Sequence, residues 1–243
     1  MPADALKTTP LEGLLRQLDN AAREAGRPTP RLLAVCKRQP ATAVAELARE
    51  WRLLAEGKSE WVPAFGENYV QEAQAKQAEL SGSGFPASEL EWHLIGHLQS
   101  NKARDAAMRF DWIQTVDRLR LVDALARARP PDRGALNVLV QVNVDDESSK
   151  HGCMPDEVGP LAAAITAQPR LALRGLMAIP APHPEIAHRR DAFARMKALF
   201  DDLRITHPGV DTLSMGMSDD YALAIAEGAT MVRVGTALFG PRT

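Results

Sequence analysis

Cysteine is nearly missing from this chain. Cys36 and Cys153 are the only two, too few and too far apart for a disulfide framework or a metal-binding set. An excess of one charge is missing too. Lysine and arginine number 29 against 31 acidic residues, and the net charge of -2 leaves no basic footprint for nucleic acid. No apolar run approaches the ~18 residues of a membrane span, since even residues 171–182 are broken by Arg174. The start, Met1-Pro-Ala-Asp4, has neither the basic nor the apolar region of a signal peptide. These absences predict a reduced, cytoplasmic protein with no membrane and no nucleic-acid partner.

What is present is enough apolar material for a large core: 45% of 243 residues, a length at which barrels are commonly one domain. Leu11, Leu14, Leu15, Leu18 and Ala22 recur at helical spacing and predict an amphipathic helix over 10–25. Gly26 to Pro30 stops it. Strands are then expected at 31–37, 61–65, 92–95, 112–116, 136–144, 171–178, 212–215 and 231–234, from short apolar or β-branched runs. Helical patterns follow at 41–56, 70–80, 101–108, 118–129, 156–166, 191–204 and 219–227, with Leu119, Val122 and Leu125 aligned in the fourth. Ser81-Gly-Ser-Gly84 reads as a flexible loop.

Strict strand–helix alternation implies parallel strands with right-handed crossovers. Eight such units in ~250 residues predict a closed (β/α)8 TIM barrel rather than an open sheet. The expected organisation is one domain over 1–243, with residues 1–30 as N-terminal helix and lead-in and 31–240 as the barrel. An all-round helical shell without a long apolar strip suits a monomer.

In such a barrel the chemistry sits at the C-terminal ends of the strands. The first strand, Arg31-Leu-Leu-Ala-Val-Cys-Lys37, ends in a lysine, and partial desolvation there disfavours the ammonium form and exposes a nucleophilic amine. The loops after the seventh and eighth strands read Ser214-Met-Gly-Met-Ser218 and Arg233-Val-Gly-Thr236, whose glycines and hydroxyls let backbone N–H groups approach a phosphate. A helix beginning at Ser218 would add its positive end, although Ser218 or Asp219 would serve equally as a plain N-cap. The first and eighth strands neighbour each other in a closed barrel, so amine and anion cradle share a rim. A phosphorylated aldehyde satisfies both, and pyridoxal 5'-phosphate (PLP) and an aldolase phosphosugar remain alternatives. Asn68, at the end of the second strand, is a candidate ligand contact. His93 and His97 are spaced as i and i+4, but the strand at 92–95 favours His93 as a rim residue over a metal pair. Asp145-Asp-Glu147 reads as a solvated acidic turn.

Several ordered motifs resemble the pyridoxal phosphate homeostasis protein family. They include Leu-Leu-Ala-Val-Cys-Lys37, Phe-Gly-Glu-Asn-Tyr69, Trp92-His-Leu-Ile-Gly-His-Leu-Gln-Ser-Asn-Lys102, Gln141-Val-Asn-Val-Asp, Ser149-Lys-His-Gly152, Arg174-Gly-Leu-Met177, Leu213-Ser-Met-Gly-Met-Ser218 and Val232-Arg-Val-Gly-Thr236-Ala-Leu-Phe-Gly240. The resemblance implies an alanine-racemase-like barrel without the racemases' C-terminal β domain, and Lys37 as the Schiff-base lysine for PLP. It also implies phosphate contacts from Ser214, Ser218, Gly235 and Thr236, with Arg233 beside the pyridine nitrogen. The resemblance further implies a protein that binds and delivers the cofactor, with apo PLP-enzymes as recipients, and no established catalytic activity. Three departures stand out: Cys36 where serine is usual, Arg38-Gln39 where Thr-Lys is usual, and a longer segment over 51–64. Strand alternation turns Cys36 away from Lys37, which favours a small buried residue over a redox thiol.

Two features argue for binding over turnover. Arg233, a donor with no acceptor, would hold a facing ring nitrogen unprotonated and so a poorer electron sink. Racemisation also needs a second acid/base opposite the imine, for which only Tyr69 and Tyr221, both at expected helix starts, are surrogates. A PLP-dependent racemase is the main alternative.

Overall fold

The computed structural model describes residues 8–55, 62–85, 89–147 and 150–240. Eight strands form a closed barrel in chain order: β1 (Arg31–Val35), β2 (Ala64–Glu67), β3 (Glu91–Leu94), β4 (Trp112–Val116), β5 (Leu136–Gln141), β6 (Leu171–Met177), β7 (Thr212–Ser214) and β8 (Met231–Val234). Every pairing is parallel, and β1 closes on β8 with Arg31 opposite Met231 and Ala34 opposite Val234. The helices are α1 (Pro10–Glu24), α2 (Ala41–Leu54), α3 (Val70–Gly82), α4 (Ala103–Arg109), α5 (Leu119–Ala128), α6 (Val158–Thr166), α7 (Ile186–Thr206), α8 (Tyr221–Ala226) and α9 (Thr236–Phe239).

Helix α1 forms where expected because one side chain starts it: Thr9 accepts from the Glu12 N–H at 3.2 Å, and Pro10 opens the first turn. Its Leu11, Leu14, Leu18 and Ala22 are buried. Between strands and helices, outward strand residues such as Leu32, Ala34, Phe65, Val138 and Val140 join the helical stripes in one continuous core. Trp51 of α2 approaches Phe65 at 6.3 Å, and Phe65 approaches Trp92 at 6.0 Å.

Several expectations need correction. Ser81 and Gly82 belong to α3 rather than to a flexible loop. Ser81 Oγ donates to the Gln77 carbonyl, and buried Leu80 anchors the last turn. Helix α8 begins at Tyr221, not Ser218, because the Asp220 carboxylate accepts from the Met217 N–H and holds 218–220 as a turn. In α5, Leu119 is exposed and Leu121 takes its place beside Val122 and Leu125. Strand β2 starts at Ala64, and Trp61, expected to open it, lies outside the described residues.

The barrel interior holds two small apolar clusters, one of Leu33, Ala64, Ile95 and Met231, the other of Trp112, Leu139 and Met177. A polar chain runs between them. Glu91 bonds His93 Nε2 at 2.7 Å, His93 Nδ1 meets Gln114 Nε2 at 2.9 Å, and Ser214 Oγ donates to Gln114 Oε1 at 2.7 Å. Arg233 Nη1 closes it on Ser214 Oγ at 2.8 Å. His93 therefore sits inside the barrel, stacked on Trp112, with both ring nitrogens engaged, and not on the rim.

Although burial pushes Glu91 upward, hydrogen bonding to His93 and the charges of His93 and Arg31 outweigh it and bring the carboxyl down to about 2. A lowered carboxyl stabilises the fold above its unfolded value near 4.5 and loses that contribution as pH falls towards 2. The stability gap between wild type and Glu91→Gln should therefore be wide at pH 7 and narrow sharply at pH 3 in denaturant melts.

Candidate functional site

The rim begins at β1. Val35 ends the strand, Cys36 follows, and partly buried Lys37 lies in the next turn, two residues past the strand end rather than at it. Lys37 shares the sequence parity of Leu33 and Val35, which line the barrel interior, whereas Cys36 packs outward into the main core. Arg38 then takes a left-handed φ of 61° and reverses the chain.

Protein groups hold this turn from beneath. Lys76 Nζ of α3 donates to the Cys36 carbonyl at 2.7 Å and pairs with the Glu67 carboxylate at the end of β2. Glu72 accepts from the Arg38 N–H, and the Cys36 thiol donates to Glu67 Oε1 at 3.0 Å. Lys76 and Glu67 are buried. Burial pushes the Cys36 thiol well above its ordinary value, and the Glu67 charge adds to that, so the group stays a thiol. That result supports a buried small residue at position 36.

The eighth strand brings the anion candidates to the same place. A methyl group on Gly235 would lie 3.1 Å from the Val35 carbonyl, so the Gly235–Thr236 turn rests against the chain leading into Lys37. Gly216 has φ 90°, with Ala224 Cβ 2.6 Å from where its own Cβ would be, a conformation and a space that only glycine meets. Among the described residues, the backbone N–H groups of Ser218, Gly235 and Thr236 make no hydrogen bond to protein. Ser214 is placed differently from Ser218: its hydroxyl faces Gln114 and Arg233 in the barrel interior, while Ser218 is half-buried on the rim.

Arg233 is buried and donates to Ser214 Oγ and to the Ala178 carbonyl, each at 2.8 Å. No described carboxylate pairs with it, and burial pulls it down to about 10, still protonated at neutral pH. A buried cation without a carboxylate partner calls for a strong acceptor nearby. Gln141 Oε1, at the end of β5, is likewise buried without a partner. Its place on the inward parity of the β-branched run 136–144 is the sequence signal for it.

Asn68 follows β2 and touches the loop after β3: a methyl on Gly96 would lie 2.1 Å from the Asn68 carbonyl. The two loops border a cavity of about 340 Å³ that also takes in Tyr69, His97 and Lys102 but excludes Lys37 and Gly235. It therefore adjoins the rim site and is not its centre. Of the two tyrosines, Tyr69 is 64% exposed, and the Tyr221 hydroxyl is bonded to Gln17 of α1 at 3.0 Å. Asp145 is not simply solvated, since it accepts from the Ala181 N–H at 2.6 Å and pairs with Arg195.

The donors present fit a phosphorylated pyridine aldehyde: an amine, unpaired N–H groups for an anion, and a buried guanidinium. Comparison with known proteins points the same way. The family model "Alanine racemase, N-terminal domain" matches residues 11–243. The pyridoxal phosphate homeostasis protein of Pseudomonas aeruginosa is 50% identical over 93% of this chain and 91% of its own. That of Escherichia coli K12 is 48% identical over 87% and 85%. Both are named for homeostasis and not for a reaction.

PipY of Synechococcus elongatus PCC7942, solved without PLP, superposes with a TM-score of 0.78 at 37% identity over 95% of this chain and 98% of that one. Its structure with PLP bound gives 0.71 at 36%, over 93% and 100%. An alanine racemase of Clostridium difficile 630 shares the fold alone, at 18% identity and TM-score 0.61, with this chain spanning 56% of it. With the barrel, the rim and these identities in hand, the chain belongs to the pyridoxal phosphate homeostasis protein family.

Proposed function

We propose that this protein holds PLP on Lys37 and acts in intracellular vitamin B6 homeostasis, storing the cofactor and passing it to apo PLP-enzymes without robust turnover of its own. The observation that supports the reading is the packing of the Gly235–Thr236 turn on Val35, two residues before Lys37, as an amine and an anion cradle sharing one rim would require. When bound, the cofactor supplies an aldehyde for the amine and a ring that withdraws electrons.

The chain's own residues divide the remaining work. Lys37 provides the attaching amine. With the cofactor bound, the N–H groups of Ser218, Gly235 and Thr236 would hold the phosphate, the Ser214 hydroxyl, which faces Arg233 in the interior, would be a further contact to it, and Asn68 would be a contact from the end of β2. With the cofactor bound, Arg233 would donate to the ring nitrogen and keep that atom unprotonated, which would weaken electron withdrawal. Neither tyrosine is set as a second acid/base: one hydroxyl is tied to α1 and the other side chain is largely exposed. The scattered exposed hydrophobics, among them Leu53, Ile186 and Ile205, suit a monomer acting as one domain. No described helix is long and apolar enough to cross a membrane.

Purified protein, loaded with PLP and then freed of unbound cofactor by gel filtration, should be yellow. Lys37→Ala should lose the visible band entirely while keeping its circular dichroism, and colour retained in that variant would overturn the assignment. The loaded protein should also activate an apo PLP-enzyme faster than an equal concentration of free PLP does. Rapid exchange of the α-proton of alanine or serine in heavy water would instead favour a racemase.

A further inference from the structure

We propose that the loops after β3, β4 and β5 form a site for a zinc-class divalent cation, ligated by His97, Asp117 and His151. This site shares no residue with the proposed cofactor contacts. His97 and His151 stack with ring centroids 3.8 Å apart and planes 15° apart. Asp117 Oδ2 lies 3.7 Å from His97 Nδ1. One donor atom from each of the three residues lies within 4.8 Å of the others. Two imidazoles and a carboxylate are a borderline-soft set with one open position, as zinc and its neighbours prefer. Bonds of about 2.0–2.2 Å place tetrahedral donors roughly 3.3 Å apart, so closure takes side-chain rotation of about an ångström. His97 and His151 are exposed and have room to rotate.

The backbones beneath them are fixed, and that makes the cluster more than a chance meeting of loops. Thr115 Oγ1 donates to the Gly96 carbonyl at 2.9 Å and Arg118 Nη2 to the Leu98 carbonyl at 2.7 Å, which brackets His97 on both sides. Gln141 Nε2 donates to the His151 carbonyl at 3.1 Å, and Gly152, at φ 127°, turns the chain back under the rim. Arg118 also pairs with Asp117 Oδ1, leaving Oδ2 towards the imidazoles. An orienting partner on the far side of a ligand is the usual support of a metal centre. A bound ion would staple three βα loops together beside the Gly96–Asn68 contact, across the barrel from Lys37.

The test uses the full chain free of any polyhistidine tag. Zinc is titrated against a chromophoric chelator at neutral pH, and one equivalent should bind at micromolar or tighter affinity. His97→Ala and His151→Ala should each weaken binding roughly tenfold or more, with circular dichroism and the PLP band unchanged. Zinc should also raise the melting temperature of the wild type and not of the double variant. Binding no tighter than millimolar, or one equivalent retained by the His97→Ala/His151→Ala variant, would overturn the site.

Discussion

Lys76→Met should destabilise the protein by about 3–5 kcal/mol, because removing one partner leaves the other charge buried and unpaired. For a chain of this size that lowers the melting temperature by on the order of 10 °C. Glu67 is fully enclosed, and its remaining neighbour, the Cys36 thiol, is a weak donor. Burial already pushes the Glu67 carboxyl up, against the pull of Lys76. Without the lysine the carboxyl rises further. A raised carboxyl costs nothing below its unfolded value near 4.5, and the cost grows as pH climbs towards the folded value. The defect should therefore be small at pH 4 and larger at pH 7 in denaturant melts, and Glu67→Gln/Lys76→Met should recover part of it. A loss below 1 kcal/mol at neutral pH would show that the pair does not hold the fold. The same substitution removes the donor to the Cys36 carbonyl, so PLP loading on Lys37 should fall along with stability.

Gly175→Ala is the second large effect, and its cause is steric. The glycine has φ 146°, and a methyl there would lie 1.9 Å from the Thr212 carbonyl of β7 and 3.2 Å from Phe200. Pairing of β6 with β5 skips Arg174, so Gly175 sits at a bulge where neither strand can retreat without breaking the ladder to β7. Backbone strain and overpacking each cost about 1–3 kcal/mol, and together they should take ~3 kcal/mol or more. Thermal melts check this, and a Tm within 2 °C of wild type would refute it. Arg174 pairs with Asp211 and lies over Trp112, so the bulge also aims a side chain at the barrel's lower end.

Much of this molecule was legible in the sequence because each strand and helix carries its own periodicity. The eight β/α units, the closure of β1 on β8 and the shared rim of Lys37 and Gly235 follow from local pattern and topology alone. The polar chain through the barrel does not. Gln114 and Ser214 are 100 residues apart, and nothing local to either says that they meet. Alternation also reports which face a residue occupies and not what awaits it there, which is why His93 was expected on the rim and lies inside. The start of α8 was missed for another reason: Asp220 competes for the Met217 N–H and delays the helix by a turn. The metal candidate draws on three separate loops, and only His97 carried any sign of it in sequence.

The reversal at Arg38 has a consequence for exchange. The peptide units on either side of Lys37 are clamped by α3, through the Cys36 carbonyl and the Arg38 N–H, and the clamp is made wholly of protein groups. A ligand arriving at or leaving that amine need neither order nor release main chain, so its affinity carries little entropic tax. For the proposed role as a store of cofactor, a seat that stays rigid whoever occupies it suits repeated filling and emptying.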